Sequence, residues 1–226
     1  SFTACSDEDS SSLPKGPDRP NKPIVVIYEN DAHCAIDGYA RFAGIRNSMR
    51  KETPHVATVS VGDFIQGGVV GTVSSGTAIV DIMNHVGYDA VTLGNHEFDF
   101  GMAQMFSLTK RLEADVVCAN FRSLIDDNLL FEPYTIKKYG NVDIAYLGLT
   151  APSTLVTGGQ KTFADENGKL IYNFCNDNFY ENAQRYINEA RNEGADYVVV
   201  LSHLGDVEWG GFPSSVSLIR NTTGID

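Results

Sequence analysis

Four short segments of this chain carry side chains suited to hard or borderline divalent metals: Asn30-Asp31-Ala32-His33, Gly62-Asp63, Gly94-Asn95-His96-Glu97-Phe98-Asp99 and Ser202-His203. Carboxylate, imidazole and amide oxygen in combination favour zinc, manganese or iron over copper(I) or an iron–sulfur cluster. Each segment alone also fits ordinary structure. Asp31 can start a turn or cap a helix, Gly62-Asp63 can be a plain turn, and His96 or His203 can be a hydrogen-bonded core histidine. Their joint occurrence, each directly after an apolar run, predicts one metal site assembled from several strand ends. His55, which precedes an apolar run, and His85, in a last helical turn where a cation suits the dipole, are not ligand candidates. Cys34 adjoins His33, but strand-end geometry would point it away from a site that uses His33.

The elements that must position these groups are legible as short apolar runs. Ile24–Tyr28, Val56–Val61, Ala90–Leu93, Val116–Ala119, Ile144–Leu149 and Tyr197–Leu201 read as core strands buried on both faces. Helical patterns run through Tyr39–Met49 and about 75–86, 101–112 and 178–193, with Gly87 and Gly194 as stops. Alternation of strand and helix predicts an α/β architecture whose functional groups sit on loops at the carboxyl ends of strands. Phe131–Lys138 and Val142–Leu149 flank Tyr139-Gly140-Asn141, a hairpin signal, so part of the sheet is expected to be antiparallel.

The order D-x-H, G-D, G-N-H-E and a downstream histidine resembles the calcineurin-like metallophosphoesterases, and within them the 5'-nucleotidase and 2',3'-cyclic phosphodiesterase branch. Asn30 to His33 stands for the first motif, Gly62-Asp63-Phe64-Ile65-Gln66-Gly67 for the second, Gly94 to Asp99 for the third and most specific, and Ser202-His203-Leu204-Gly205 for the fourth. The resemblance spans residues 24–226. It implies an α/β fold in four layers, an α/β/β/α sandwich with mixed sheets. It also implies two divalent ions, zinc, manganese or similar, with Asp31 and His33 on one, Asn95 and His203 on the other and Asp63 bridging. A bridging carboxylate offers two oxygens to ions about 3.5–4 Å apart, and such a pair makes water nucleophilic near neutral pH. The same resemblance makes His96 and Asp99 a catalytic dyad and gives Asn95 a second role in binding substrate. Glu97 reads as a hydrogen-bond partner behind the ligands and Phe98 as packing. The family pattern continues to a G-H-x-H segment, whereas this sequence ends at Thr222-Thr223-Gly224-Ile225-Asp226. The expectation is therefore an incomplete catalytic domain over 24–226, lacking a C-terminal substrate-binding domain and impaired in metal affinity and turnover.

The remaining features bound the function. With 17 Lys and Arg against 29 Asp and Glu, a net charge of −12 argues against nucleic acid as a partner, since phosphate backbones are held by clustered cations. No apolar run approaches the roughly 20 residues a membrane helix requires. Phe2-Thr3-Ala4-Cys5 looks like the end of a lipobox with Cys5 as the lipidated residue, and the acidic Ser6-Asp7-Glu8-Asp9 resembles an export tag of surface lipoproteins. The competing reading is a tail with a chance cysteine. Residues 1–23, with Pro14, Pro17, Pro20 and Pro23, read as a flexible tether. Cys34, Cys118 and Cys175 read as buried small hydrophobes and not as a disulfide framework.

The leading expectation is a 5'-nucleotidase acting outside the cytoplasm, in the periplasm or on the outer-membrane surface. A 2',3'-cyclic nucleotide phosphodiesterase or broad phosphatase is the alternative within enzymes, and a catalytically silent metal-binding surface lipoprotein is the alternative of another class. Trp209 with Glu208 could line a substrate cleft or cap the sheet; the residues do not decide.

Overall fold

The computed structural model describes residues 22–226. The expected tether, Cys5 included, therefore falls outside the described residues except for Lys22 and Pro23. Those two lie against the fold: Lys22 Nζ donates to the Glu52 carbonyl at 3.1 Å and Thr53 Oγ1 donates to the Pro23 carbonyl at 2.7 Å.

Four parallel strands, β1 (Val25–Glu29), β2 (Val56–Ser60), β3 (Ala90–Val91) and β4 (Asp115–Val116), form the first sheet in that order. Every residue of β2 is buried, as its run of β-branched and small residues demands of a strand covered on both faces. Between these strands lie α1 (Ile36–Glu52), α2 (Val69–Ser74), α3 (Thr77–Val86) and α4 (Met102–Arg111). On α3 the buried residues Ile79, Val80, Met83 and Val86 recur at helical spacing, and the helix stops at Gly87, whose φ of 78° lets its amide donate to the Met83 carbonyl at 2.8 Å.

A short antiparallel pair, β5 (Arg122–Ser123) with β8 (Tyr172–Asn173), stands apart from a second sheet made of β6 (Tyr134–Tyr139), β7 (Val142–Thr150) and β9 (Tyr197–His203). β6 and β7 are the expected hairpin, with Tyr139 opposite Val142 and Gly140 at φ 68° in the turn. β7 and β9 run parallel. They are joined through α5 (Thr154–Thr157) and α6 (Phe179–Asn192), and α7 (Ser215–Asn221) follows β9.

Side-chain alternation along β7 fixes the layers. Ala145, Leu147 and Leu149 pack against Ala183, Tyr186, Ile187 and Ala190 of α6 and Leu218 of α7. Ile144 and Tyr146, on the opposite face, pack against Ala57, Val59 and Ala90 of the first sheet. The outer face of the first sheet is covered by Tyr39 of α1, Ile79, Val80 and Met83 of α3 and Leu108 of α4. The order is helix, sheet, sheet, helix, the four-layer α/β architecture with one parallel and one mixed sheet. Burying a side chain the size of Ile187 stabilises by about 1.5–3 kcal/mol, so these three interfaces hold the sandwich together.

Several elements depart from the sequence reading. β1 and β9, expected to be buried on both faces, are only partly buried and expose Tyr28 and Tyr197, and β3 is shorter than the Ala90–Leu93 run. The strand expected over Val116–Ala119 ends early in its own sheet because its amides change partners. Val117 donates to Val91, Cys118 to Glu132 and Ala119 to Gly148, so the segment crosses from the first sheet to the second. The helix expected over 75–86 begins at Thr77, since Ser75 (φ 48°) and Gly76 (φ 85°) are left-handed and separate α2 from α3.

Candidate metal centre

The loops leaving β1 and β2 lie side by side. Asp31 N donates to Gly62 O at 3.2 Å, His33 N to Asp63 O at 2.9 Å and Cys34 N to Phe64 O at 3.3 Å. This pairing holds Asp31, His33, Cys34 and Asp63 at positive φ (54°, 44°, 62° and 59°), a conformation that costs an L-residue roughly 1–2 kcal/mol each. The loop after β3 crosses behind them through two glycines. A Cβ on Gly62 would sit 2.3 Å from Gly94 N, and one on Gly94 would sit 2.2 Å from Asp63 Oδ1.

Glu97 ties the second and third loops together. It is buried, and its carboxylate accepts from the amides of Asp63 (2.8 Å), Gly94 (2.6 Å), Phe64 (2.9 Å) and Ile65 (3.4 Å). Burial and the adjacent Asp63 carboxylate push its pKa up against the amide donors, which favour the ionised form. Phe98, as expected, packs into an aromatic core against Phe121, Phe163 and Phe174.

The side chains at positions 31, 33, 63, 95 and 203, distant in sequence, meet around Asp63. Its Oδ1 accepts the His96 amide at 2.8 Å, while Oδ2 lies 3.3 Å from His203 Nε2 and 3.8 Å from His33 Nε2. One oxygen thus faces both imidazoles, where the sequence reading shared two oxygens between two ions; the His96 amide engages the other. His33 Nε2 is 3.6 Å from Asp31 Oδ1, and His203 Nε2 is 3.4 Å from Asn95 Oδ1. Asn30 Nδ2 hydrogen-bonds the other Asp31 oxygen. His96 Nδ1 is 2.7 Å from Asp99 Oδ2, and the His96 ring meets that of His33 edge to face at 5.2 Å.

Electrostatics at this cluster are governed by Asp63. Burial would raise its pKa, but the His203 ring and the His96 amide outweigh that and hold it below the usual carboxylate range. Burial pulls His203 down, and Asp63 reverses the sign, pushing it up to about 9. His96 follows the same pattern, raised despite burial by Asp99 and Asp63. At the end of β1, burial pushes Glu29 up to about 7, with Glu97 and Asp31 adding to it and Ser60 and Tyr88 opposing.

These groups fit a divalent metal pair. His33 Nδ1 is 3.0 Å from the Gln66 carbonyl and His203 Nδ1 is 2.8 Å from the Val61 carbonyl, which orients each ring so that Nε2, the atom that would bind a cation, faces Asp63. The donor atoms of His33, Asp63 and His96, and those of Asp31, Asp63 and His203, each lie within 4.8 Å of one another. Asp31, Asp63, Glu29 and Glu97 crowd carboxyl groups; burial and then mutual repulsion raise Glu29 and Glu97, and a cation would relieve the repulsion. Cys34 takes no part: its thiol is buried and donates to the Phe64 carbonyl at 3.4 Å. The carbonyls of Gln66 and Val61 were beyond sequence reasoning because they are backbone atoms; Gly62, Gly67 and Gly94 gave a signal, being glycines within the ligand loops. Gly67 is tied to His33, whose Cβ lies 2.8 Å from where a Gly67 Cβ would be.

The chain is similar to known proteins over most of its length. The family model for calcineurin-like phosphoesterase matches residues 24–222. The trifunctional nucleotide phosphoesterase protein YfkN of Bacillus subtilis is 29% identical over 224 residues, covering 88% of this chain and 15% of that protein. The 2',3'-cyclic-nucleotide 2'-phosphodiesterase/3'-nucleotidase of Salmonella typhimurium is 27% identical over 219 residues, covering 88% of this chain and 33% of that protein. The solved structure of a 5'-nucleotidase precursor from Thermus thermophilus superposes with a TM-score of 0.72 at 26% identity, over 88% of this chain and 39% of the other. The chain thus spans a third or less of the length of these two curated relatives.

Proposed function

The chain belongs to the calcineurin-like phosphoesterase family, and from that premise we propose that it is the catalytic part of a two-metal hydrolase that removes the 5'-phosphate of nucleotides outside the cytoplasm. The observation that carries the reading is Asp63, one buried carboxylate whose Oδ2 faces His203 at 3.3 Å and His33 at 3.8 Å. Asp31, His33 and Asp63 would hold one ion, and Asp63, Asn95 and His203 the other. Bound there, two divalent ions supply Lewis-acid polarisation of phosphoryl oxygens and a water that is deprotonated near neutral pH.

The chain's own residues supply the rest. Asn95 would hold a phosphoryl oxygen through its amide. Asp99, on Nδ1, favours the protonated form of His96, in which an Nε2 proton would stabilise negative charge on the phosphoryl group or pass to the leaving oxygen as the bond from phosphorus to that oxygen breaks. Water adds to phosphorus, so the products are nucleoside and inorganic phosphate. The 2.7 Å contact between His96 and Asp99 favours an enzyme over a silent metal-binding surface lipoprotein, which has no use for such a pair.

A second reading, hydrolysis of 2',3'-cyclic nucleotides, is supported by the similarity to the Salmonella phosphodiesterase/3'-nucleotidase. Assay of the full-length protein against AMP, a UDP-sugar, 2',3'-cyclic AMP and bis-p-nitrophenyl phosphate separates the two. Preference for AMP supports the nucleotidase, and preference for the diesters removes it. Residues 1–23 and Cys5 are proposed as the anchor that keeps the enzyme on the membrane surface. Among the described residues no helix is long and apolar enough to cross a membrane. Mass spectrometry of the membrane fraction would find Cys5 diacylated; an unmodified Cys5 refutes the anchor.

A further inference from the structure

The ligand set is divided between two sheets. Asp31, Asp63 and Asn95 follow strands of the first sheet, whereas His203 ends β9 of the second. Contact between Asp63 and His203 therefore depends on how the sheets are set against each other at their carboxyl ends, and side-chain packing fixes such a setting only loosely.

We infer that Thr150 is the residue that locks the sheets at this end and so positions His203 against Asp63 and Asn95; the inference rests on the two-metal reading above. Thr150 is the last residue of β7, has no exposed surface and pairs in register with His203. The Ala151 amide then donates to the His203 carbonyl at 3.0 Å. The Thr150 hydroxyl points the other way, across the sandwich, and donates to the Leu93 carbonyl at 2.6 Å. Leu93 directly precedes Gly94-Asn95-His96. One side chain thus joins the strand end that delivers His203 to the loop that delivers Asn95 and His96.

Thr150 is itself clamped on both backbone atoms. Its amide donates to Asn120 Oδ1 at 3.0 Å, and Asn120 Nδ2 donates to the Thr150 carbonyl at 2.7 Å and to the Phe174 carbonyl at 3.0 Å. Two residues earlier, Gly148 brings the sheets together without an intervening side chain. A Cβ there would lie 2.0 Å from the Val117 carbonyl oxygen and 2.6 Å from Thr92 Oγ1, and the Gly148 carbonyl accepts the Ala119 amide at 2.8 Å. Gly148 and Thr150 share one face of β7, the face toward the first sheet. The contact is backbone to backbone at 148 and hydroxyl to backbone at 150, both geometrically specific in a way that packed methyl groups are not.

The test uses the full-length protein and Thr150→Val, which keeps the shape and removes the hydroxyl, with Thr150→Ser as the rescue. Ile187→Val, in the α6 layer remote from the cluster, serves as a control that lowers stability without touching the clamp. Cobalt(II) titration followed by visible absorption reports the ligand environment directly. Thr150→Val should weaken one of two cobalt equivalents about tenfold, the lower end of what partners behind metal ligands contribute. Thr150→Ser should restore it, and Ile187→Val should leave both equivalents intact. Hydrogen exchange in metal-free protein gives a second arm, in which the Ala151 and His96 amides should exchange faster in Thr150→Val only. Unchanged cobalt binding with unchanged exchange overturns the clamp, as does equal weakening by Ile187→Val. A wild-type protein that takes up no cobalt overturns the two-metal reading, and the exchange arm still decides the clamp.

Discussion

Replacing Glu97 with Gln is the sharpest single perturbation of the centre, because it changes almost no volume and yet inverts half of a hydrogen-bonding surface. In the native chain Oε2 accepts from Asp63 and Gly94 at 2.8 and 2.6 Å, and Oε1 from Phe64 and Ile65 at 2.9 and 3.4 Å. A glutamine keeps one oxygen and must turn an NH2 group toward the other pair of amides. The cheaper orientation abandons Phe64 and Ile65, whose bonds are longer. Hydrogen bonds to a charged group contribute about 1.5–3 kcal/mol each, so two lost bonds cost about 3–6 kcal/mol. Burial and the Asp63 carboxylate disfavour the Glu97 charge, so removing it returns part of this and leaves a net loss of a few kcal/mol. Against a typical total of about 5–15 kcal/mol, that is a large fraction. Urea denaturation of metal-free wild type and Glu97→Gln should show the midpoint fall at constant slope. An unchanged midpoint would mean that the four amides do not converge on an ionised carboxylate, and the account of how the second and third loops are joined would be wrong.

Four further outcomes are expected. Chelation of the full-length protein should lower its thermal midpoint and readdition of manganese or zinc should restore it, since a ligand at 100 times its Kd stabilises by about 2.7 kcal/mol; calorimetry checks this, and Asp63→Asn should remove the shift. His96→Asn should lower kcat by about 10²–10⁴ with metal content unchanged, measured by steady-state kinetics beside elemental analysis. Gly94→Ala should abolish metal uptake or prevent folding, because its Cβ would fall 2.2 Å from Asp63 Oδ1, whereas Gly44→Ala, inside α1 with open space around the added Cβ and ordinary helical backbone, should be tolerated; circular dichroism and metal analysis distinguish them. Burial raises the Asp115 pKa, but the Lys137 ammonium at 2.8 Å and the Thr135 hydroxyl at 2.5 Å hold it below the ordinary value. A depressed folded pKa gives stability that is present above the unfolded value of 3.8 and is lost as pH falls through the folded one, so Asp115→Asn should flatten the acid limb of a urea-midpoint profile.

The four loops that converge on Asp63 were legible because their residue types are rare in that order and each follows a short apolar run of strand length. The hairpin at Gly140 and the stops at Gly87 and Gly194 were legible for a related reason, since positive φ values of 68°, 78° and 104° select glycine. What escaped the sequence lies where local pattern and tertiary partner disagree. Residues 117–119 have strand composition, yet their amides go to three acceptors, one in each sheet and Glu132 outside both. Ser75 sits in a helical pattern but takes φ 48°. Thr150 ends a strand that carries no ligand, so nothing in its neighbourhood marks it; its meaning appears only when the Leu93 carbonyl is 2.6 Å away.

The cost of the centre is concentrated in a few residues, and the fold is arranged around it. Asp31, His33, Cys34 and Asp63 all hold left-handed backbone, and four carboxylates converge in a protein that already carries a net charge of −12. Neither feature helps a chain to fold. Left-handed residues persist only where their surroundings over-determine them, and here the three amides of the first loop bonded to the second, backed by Glu97, do so. The carboxylates are tolerable for a different reason. Asp63 is balanced by His203 and by the His96 amide, so the site keeps an electrostatic partner even without an ion. That balance is partial, and a divalent pair would complete it while giving an acidic protein the positive charge it needs to hold an anionic ester. An acidic surface, which argues against nucleic acid as a partner, is therefore compatible with a phosphate substrate, provided the cations sit at the centre and not on the surface.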